Sequence, residues 1–153
     1  MTARVTARVT GSVLLILGAA LAVLPALTWF TAPPSATPTD ASGFAGAGQL
    51  WLLPFLGGAI VLAGVGLAAS RPGAACAVAR WAGLLALVAG LLALGFAVWA
   101  GTDPSVTLRV TADGVTETAP AAIELAPAAI ATPVVAGIAC AIGASAAWVG
   151  WRR

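Results

Sequence analysis

Residues 50–100 read LWLLPFLGGAIVLAGVGLAASRPGAACAVARWAGLLALVAGLLALGFAVWA. Two apolar runs, Leu50 to Ala69 and Trp81 to Ala100, contain no Asp, Glu, Arg or Gln, and the short segment between them holds Arg71 and Arg80. A helix needs about 20 apolar residues to cross a bilayer, and both runs reach that length. A run that is apolar on every face has no useful periodicity. Its length and its Ala and Leu content select helix over strand. The stretch therefore predicts two membrane helices joined by a short inner loop.

Working outward, Gly11 to Phe30 and Ala128 to Trp148 are runs of the same kind. The predicted fold is an all-α membrane protein, a four-transmembrane-helix bundle forming one domain over residues 1–153. Its helices are placed at about 11–30, 50–69, 81–100 and 128–148. The outer loops are 32–49 and 101–127, and the inner loop is 70–80. Composition agrees: 61% of the residues are hydrophobic and 8% charged, against about 25% charged in a soluble globule. Mean hydropathy is +1.04. The net charge of +2 and the scattered arginines exclude nucleic acid as a partner. The narrow residue choice, without His, Lys, Tyr or Asn, points to a GC-rich bacterial genome.

The arginines set an orientation. Arg4, Arg8, Arg71, Arg80, Arg152 and Arg153 fall on one side of the predicted spans, and Arg109 alone on the other. Positive charge is retained on the cytoplasmic side, so both termini are expected in the cytoplasm of a bacterial plasma membrane. Asp40, Asp103, Asp113, Glu117 and Glu124 all fall outside. The first run is long for a secretory leader and is read as a retained span, not one cleaved near Thr31–Ala32. Tryptophan favours the headgroup level, and the six tryptophans sit near predicted helix ends. Trp29, Trp51 and Trp99 form an outer belt, and Trp81, Trp148 and Trp151 an inner one. Cys76, in the inner loop, and Cys140, mid-span, lie at different depths, which excludes a disulfide.

The outer loops differ. Ala32 to Gln49, with Pro33, Pro34 and Pro38, reads as extended or polyproline-like in its first half. In the second loop Val106, Leu108 and Val110 alternate with Thr107 and Arg109. Asp113-Gly114 supplies a tight turn, and residues 115–118 return. A short extracytoplasmic β-hairpin is predicted, with strands 106–110 and 115–118 and Arg109 near Glu117 on one face. Such a hairpin is marginal alone in water and needs a cover: loop one, the headgroups or a partner. Val106, Leu108, Arg109, Val110, Asp113 and Glu117 are the candidate partner-binding residues.

Lipid gives helices no hydrophobic reason to associate, so close backbone contact through small residues must hold them. Ladders at spacing four occur at Ala89, Ala93, Ala97 and Gly101, and at Gly137, Ala141 and Ser145. Ala136, Cys140 and Ala144 run beside the latter. Gly57, Gly58, Gly64 and Gly66 enrich the second helix. Pro25, after several helical turns, should kink the first helix or end its regular part.

Catalytic constellations are missing. Without His there is no Ser-His-Asp arrangement and no His-based metal site, and no phosphate-loop motif occurs in a strand-turn-helix setting. No catalytic residue, cofactor or metal is expected, and the chain reads as no enzyme. Ion-coupled carriers keep ionisable groups within the bilayer, and these spans hold none.

The first span ends Leu27-Thr28-Trp29, and the second ends Ala68-Ala69-Ser70-Arg71. The third begins Trp81-Ala82-Gly83-Leu84-Leu85, and the fourth closes on Trp148-Val149-Gly150-Trp151-Arg152-Arg153. In this layout the chain resembles the small actinobacterial tryptophan-associated transmembrane proteins. The resemblance implies four helices and assigns no activity and no site residue. The expected role is a non-enzymatic accessory subunit or scaffold of a larger bacterial envelope complex, with membrane lipids and a membrane protein as partners. The alternative is a small oligomeric transporter or lipid-binding component.

Overall fold

The computed structural model describes residues 2–31, 41–42, 48–71, 74–102, 107–112, 115–120 and 124–152. Among these residues four helices are long and apolar enough to cross a membrane: α1 (Thr2–Val23), α2 (Leu52–Ala69), α3 (Ala75–Thr102) and α4 (Pro127–Arg152). This is the architecture of a multi-pass membrane protein. The 18 residues of α2 span about 27 Å at 1.5 Å per residue, close to the hydrocarbon thickness of about 30 Å. The other helices are longer.

Two boundaries depart from expectation. α1 begins at Thr2 and stops at Val23, well short of Phe30. Pro25 sits in a 3-10 turn, Leu24–Ala26, closed by the Leu27 amide on the Leu24 carbonyl at 3.2 Å. Proline cannot donate within a helix and its ring clashes with the preceding turn, so the α-helix ends here. α3 begins at Ala75, so the inner connection shrinks from 70–80 to a few residues after Ser70. Both the amide and the hydroxyl of Ser70 donate to the Leu67 carbonyl, at 3.4 and 2.9 Å. Cys76 consequently lies in the first turn of α3, exposed, and not in a loop. Cys140 is buried in α4, and both thiols are free.

The helices pack as two antiparallel pairs, α1 with α2 and α3 with α4, and the pairs meet along α2 and α3. The first residues of α1, the end of α2, the start of α3 and the end of α4 share one end of the bundle, here called the terminal end. Glycines bring the backbones together. A Cβ added to Gly18 would stand 2.6 Å from the Gly57 carbonyl oxygen, and one added to Gly57 would stand 2.6 Å from that of Gly18. A heptad away, Gly11 and Gly64 repeat this reciprocity. In the second pair Gly83 and Gly143 face each other's carbonyls at 2.8 and 2.9 Å in the same sense. Such contacts leave no room for any side chain.

The interior is divided by size. α1 and α2 contribute Leu14, Leu21, Leu53, Ile60 and Leu67, while α3 contributes Ala82, Ala86, Ala89, Ala93 and Ala97. Large aliphatics fit between small ones, giving the dense interdigitation that association in lipid requires. Ile16, Phe55 and Leu62 point outward. The expected ladder of α3 is buried as far as Ala97. On α4 the expectation holds in part. Ala136 and Cys140 face α3, joined there by Gly143, whereas Ala141, Ala144 and Ser145 are exposed and a Cβ on Gly137 would meet nothing within 4 Å. On α2, Gly57 and Gly64 make the seam, and Gly58 meets nothing within 4 Å.

Among the described residues, five strands lie at the other end, here called the strand end. β1 (Thr28–Thr31) pairs antiparallel with both β2 (Ala41–Ser42) and β5 (Glu124–Leu125), in the order β2-β1-β5. β3 (Thr107–Ala112) and β4 (Val115–Pro120) form a separate antiparallel pair.

Candidate functional site: the strand end and the tryptophan levels

At the strand end the decisive local event is again Pro25. Beyond it comes Thr28-Trp29-Phe30-Thr31, all β-branched or aromatic and suited to a pleated strand. The chain turns out of its helix and runs as β1 toward the start of α4. The Trp29 carbonyl accepts the Ala126 amide at 2.8 Å, and Phe30 and Thr31 pair with Leu125 and Glu124. The Trp29 side chain is thereby fully buried, its indole Nε1–H donating to the Leu24 carbonyl at 2.8 Å. Trp29 therefore does not belong to the outer belt. It lies past the end of the helix that the belt reading assumed. Trp51, Trp99, Trp81, Trp148 and Trp151 remain half-exposed or more, at helix ends, as interfacial rings do.

Beneath β1, the start of α4 carries Ala128, Ala129 and Thr132, all buried. The Thr132 hydroxyl donates to the Ala128 carbonyl at 2.8 Å. That bond satisfies a polar group that would otherwise be costly to bury. Pro127 opens the helix, where a missing amide hydrogen costs nothing.

Of the expected partner-binding residues, Val106 and Asp113 lie outside the described residues, as does Gly114. Leu108, Arg109 and Val110 stand in β3 and Glu117 in β4. The register sets Arg109 opposite Thr118 and Val110 opposite Glu117. Arg109 and Glu117 thus occupy neighbouring rungs rather than a shared one. The first half of loop one, residues 32–40, also lies outside the described residues. The part that is described, β2, pairs with β1.

The terminal end holds an arrangement the sequence reading did not anticipate. The Arg80 guanidinium lies 3.9 Å from the centroid of the Trp151 ring and 5.6 Å from that of Trp81. Arg152 lies 4.5 Å from the ring centroid of Trp148, on the preceding turn of α4. The four-residue spacing of Trp148 and Arg152 could have signalled the second contact. The first needs α3 and α4 in register, which no single helix reveals. Among the described residues no group of His, Cys, Asp and Glu is placed to hold a metal ion.

No protein-family model, no curated protein and no solved structure matches this chain.

Proposed function

We propose that this chain is a non-enzymatic accessory or scaffold subunit of a larger complex in a bacterial envelope, with both termini cytoplasmic and the strand end outside. The observation that carries the reading is the β3–β4 pair, a two-stranded sheet hydrogen-bonded to no other strand among the described residues. A lone two-stranded sheet is marginal in water, and its outer edges are ready templates for another chain. An extracytoplasmic hairpin around Asp113-Gly114 would present such an edge. The distribution of six arginines at the terminal end against Arg109 at the other supports the orientation. The spans carry packing residues in place of acid–base groups, which fits a subunit that docks and does no chemistry. The layout shared with tryptophan-associated transmembrane proteins is compatible with this role.

The test is to replace Val106, Leu108 and Val110 together with Ser and purify the protein from native membranes in mild detergent. Normal membrane levels with loss of a stoichiometric co-purifying protein are the expected outcome. Unchanged partners would refute docking through this loop. A homo-oligomer stabilised by an added solute would instead favour a small transporter or lipid-binding component.

A further inference from the structure

Arg80 enters the second turn of α3, level with the last turn of α4. The approach is set by Gly150. A Cβ there would stand 2.6 Å from the Arg80 amide nitrogen and 2.9 Å from the Cys76 carbonyl oxygen, so only glycine lets the two helices close at this level. The closure brings Trp151 against the guanidinium at 3.9 Å. Stacking on an aromatic face occupies the flat side of the cation. It does nothing for the N–H groups at the edge of that plane. Arg80 Nε is buried against the protein with no hydrogen-bond partner among the described residues, which leaves the two terminal nitrogens of the guanidinium as the donors that a ligand can reach.

The protein offers little to pair it with. Residues 1–10, 70–80 and 148–153 contain no Asp or Glu. Trp81 and Trp151, both more than half exposed, flank the guanidinium at the level where lipid headgroups lie. Arg152, stacked on Trp148, adds a second cation on the same turn as Trp151. A planar fork held by a ring, in the headgroup region and with no Asp or Glu near it in sequence, matches the geometry of a phosphate oxygen pair.

We infer that Arg80, clamped between Trp81 and Trp151, forms a binding site for the phosphate of an anionic phospholipid. The phosphate accepts from the terminal Nη N–H groups of the guanidinium while the indole rings contact the glycerol and upper acyl chain. The stacked geometry makes the site selective for a planar donor: lysine would supply charge without the fork. This inference stands on the terminal end and is independent of docking at the strand end.

The test uses the full chain purified in neutral detergent and supplied with phosphatidylglycerol, phosphatidylcholine or inorganic phosphate. Retained lipid is read by native mass spectrometry and stability by thermal unfolding. The expected result is preferential retention of phosphatidylglycerol together with stabilisation. Arg80→Gln should weaken retention by about tenfold or more, the loss expected for charge-assisted hydrogen bonds. Arg80→Lys should weaken it to an intermediate degree. It also keeps the reading possible should the neutral variant fail to fold. Arg8→Gln removes the same charge from an exposed position at the same end and should leave retention unchanged. Equal retention of phosphatidylcholine and phosphatidylglycerol by the wild type would overturn the site. So would equal losses in Arg8→Gln and Arg80→Gln, which indicate a diffuse charge effect. Stabilisation by inorganic phosphate alone would assign the cleft to a soluble anion and overturn the lipid assignment.

Discussion

The main-chain carbonyl of Trp29 is hydrogen-bonded to the amide of Ala126 at 2.8 Å, joining the exit of the first helix to the entrance of the last. The indole beneath that bond is fully buried. Trp29→Ala should therefore lower stability by about 3–5 kcal/mol, the range for deleting a buried aromatic. Trp99→Ala, at a half-exposed ring, should cost about 1 kcal/mol or less. Denaturant unfolding in detergent, followed by circular dichroism, distinguishes them. Similar costs at both positions would remove Trp29 from the core.

Gly18 and Gly57 face each other's carbonyls, whereas a Cβ on Gly58 meets nothing within 4 Å. Gly57→Ala should destabilise by about 1–3 kcal/mol or more, because backbone cannot yield to an inserted methyl. Gly58→Ala should be neutral or stabilising by up to about 1 kcal/mol, since alanine is the better helix former. Thermal midpoints of the two variants in one detergent decide the matter.

On α3 the same contrast appears between neighbours. Ala93 is 0% exposed and Leu92 is 49% exposed. Ala93→Leu and Ala97→Leu should impair folding or assembly, at about 1–3 kcal/mol of overpacking. Leu92→Ala should be tolerated, because lipid fills the space. Yield of monodisperse protein by size exclusion is the measurement.

Orientation is tested with single cysteines in a background carrying Cys76→Ala and Cys140→Ala. Cysteines placed at Thr2, Arg71 or Arg153 should resist an impermeant thiol reagent in intact cells. Cysteines at Ser42 and Asp113 should react. Labelling of the Arg71 position from outside would invert or break the proposed topology.

Much of this architecture was legible in the sequence. Four apolar runs bounded by arginines can be read directly, because lipid demands length and apolarity of any span. Which face of each run turns inward was harder. In α3 the ladder Ala89-Ala93-Ala97 lies on the buried face. In α4 every face offers small residues, and the ladder through Ala141 and Ser145 lies on the exposed one. Gly83 meeting Gly143 decides the seam, and that choice depends on two helices at once. Trp29 shows a different difficulty. An apolar run ending in tryptophan reads as a span reaching the interface, but Pro25 stops the helix before the tryptophan arrives. The candidate surface at Leu108, Arg109 and Val110 is a sequence reading, to which the structure adds the register of β3 with β4. The Arg80–Trp151 contact joins segments far apart in the chain and leaves no local pattern to read.

The position of Trp29 also has a consequence for biogenesis. A ribosome makes Trp29 early, yet Ala126, whose amide donates to the Trp29 carbonyl, and Leu125 and Glu124, which pair with Phe30 and Thr31, follow only after the third span. Until then β1 lacks its β5 neighbour and the exit of α1 is not tied to the start of α4. Closure of β1 onto β5 thus waits for the segment that leads into α4, a latch that cannot fasten while only the first three spans have been made. A nascent chain arrested before residue 124 should hold Trp29 within reach of water or of a chaperone, and release of the arrest should bury it.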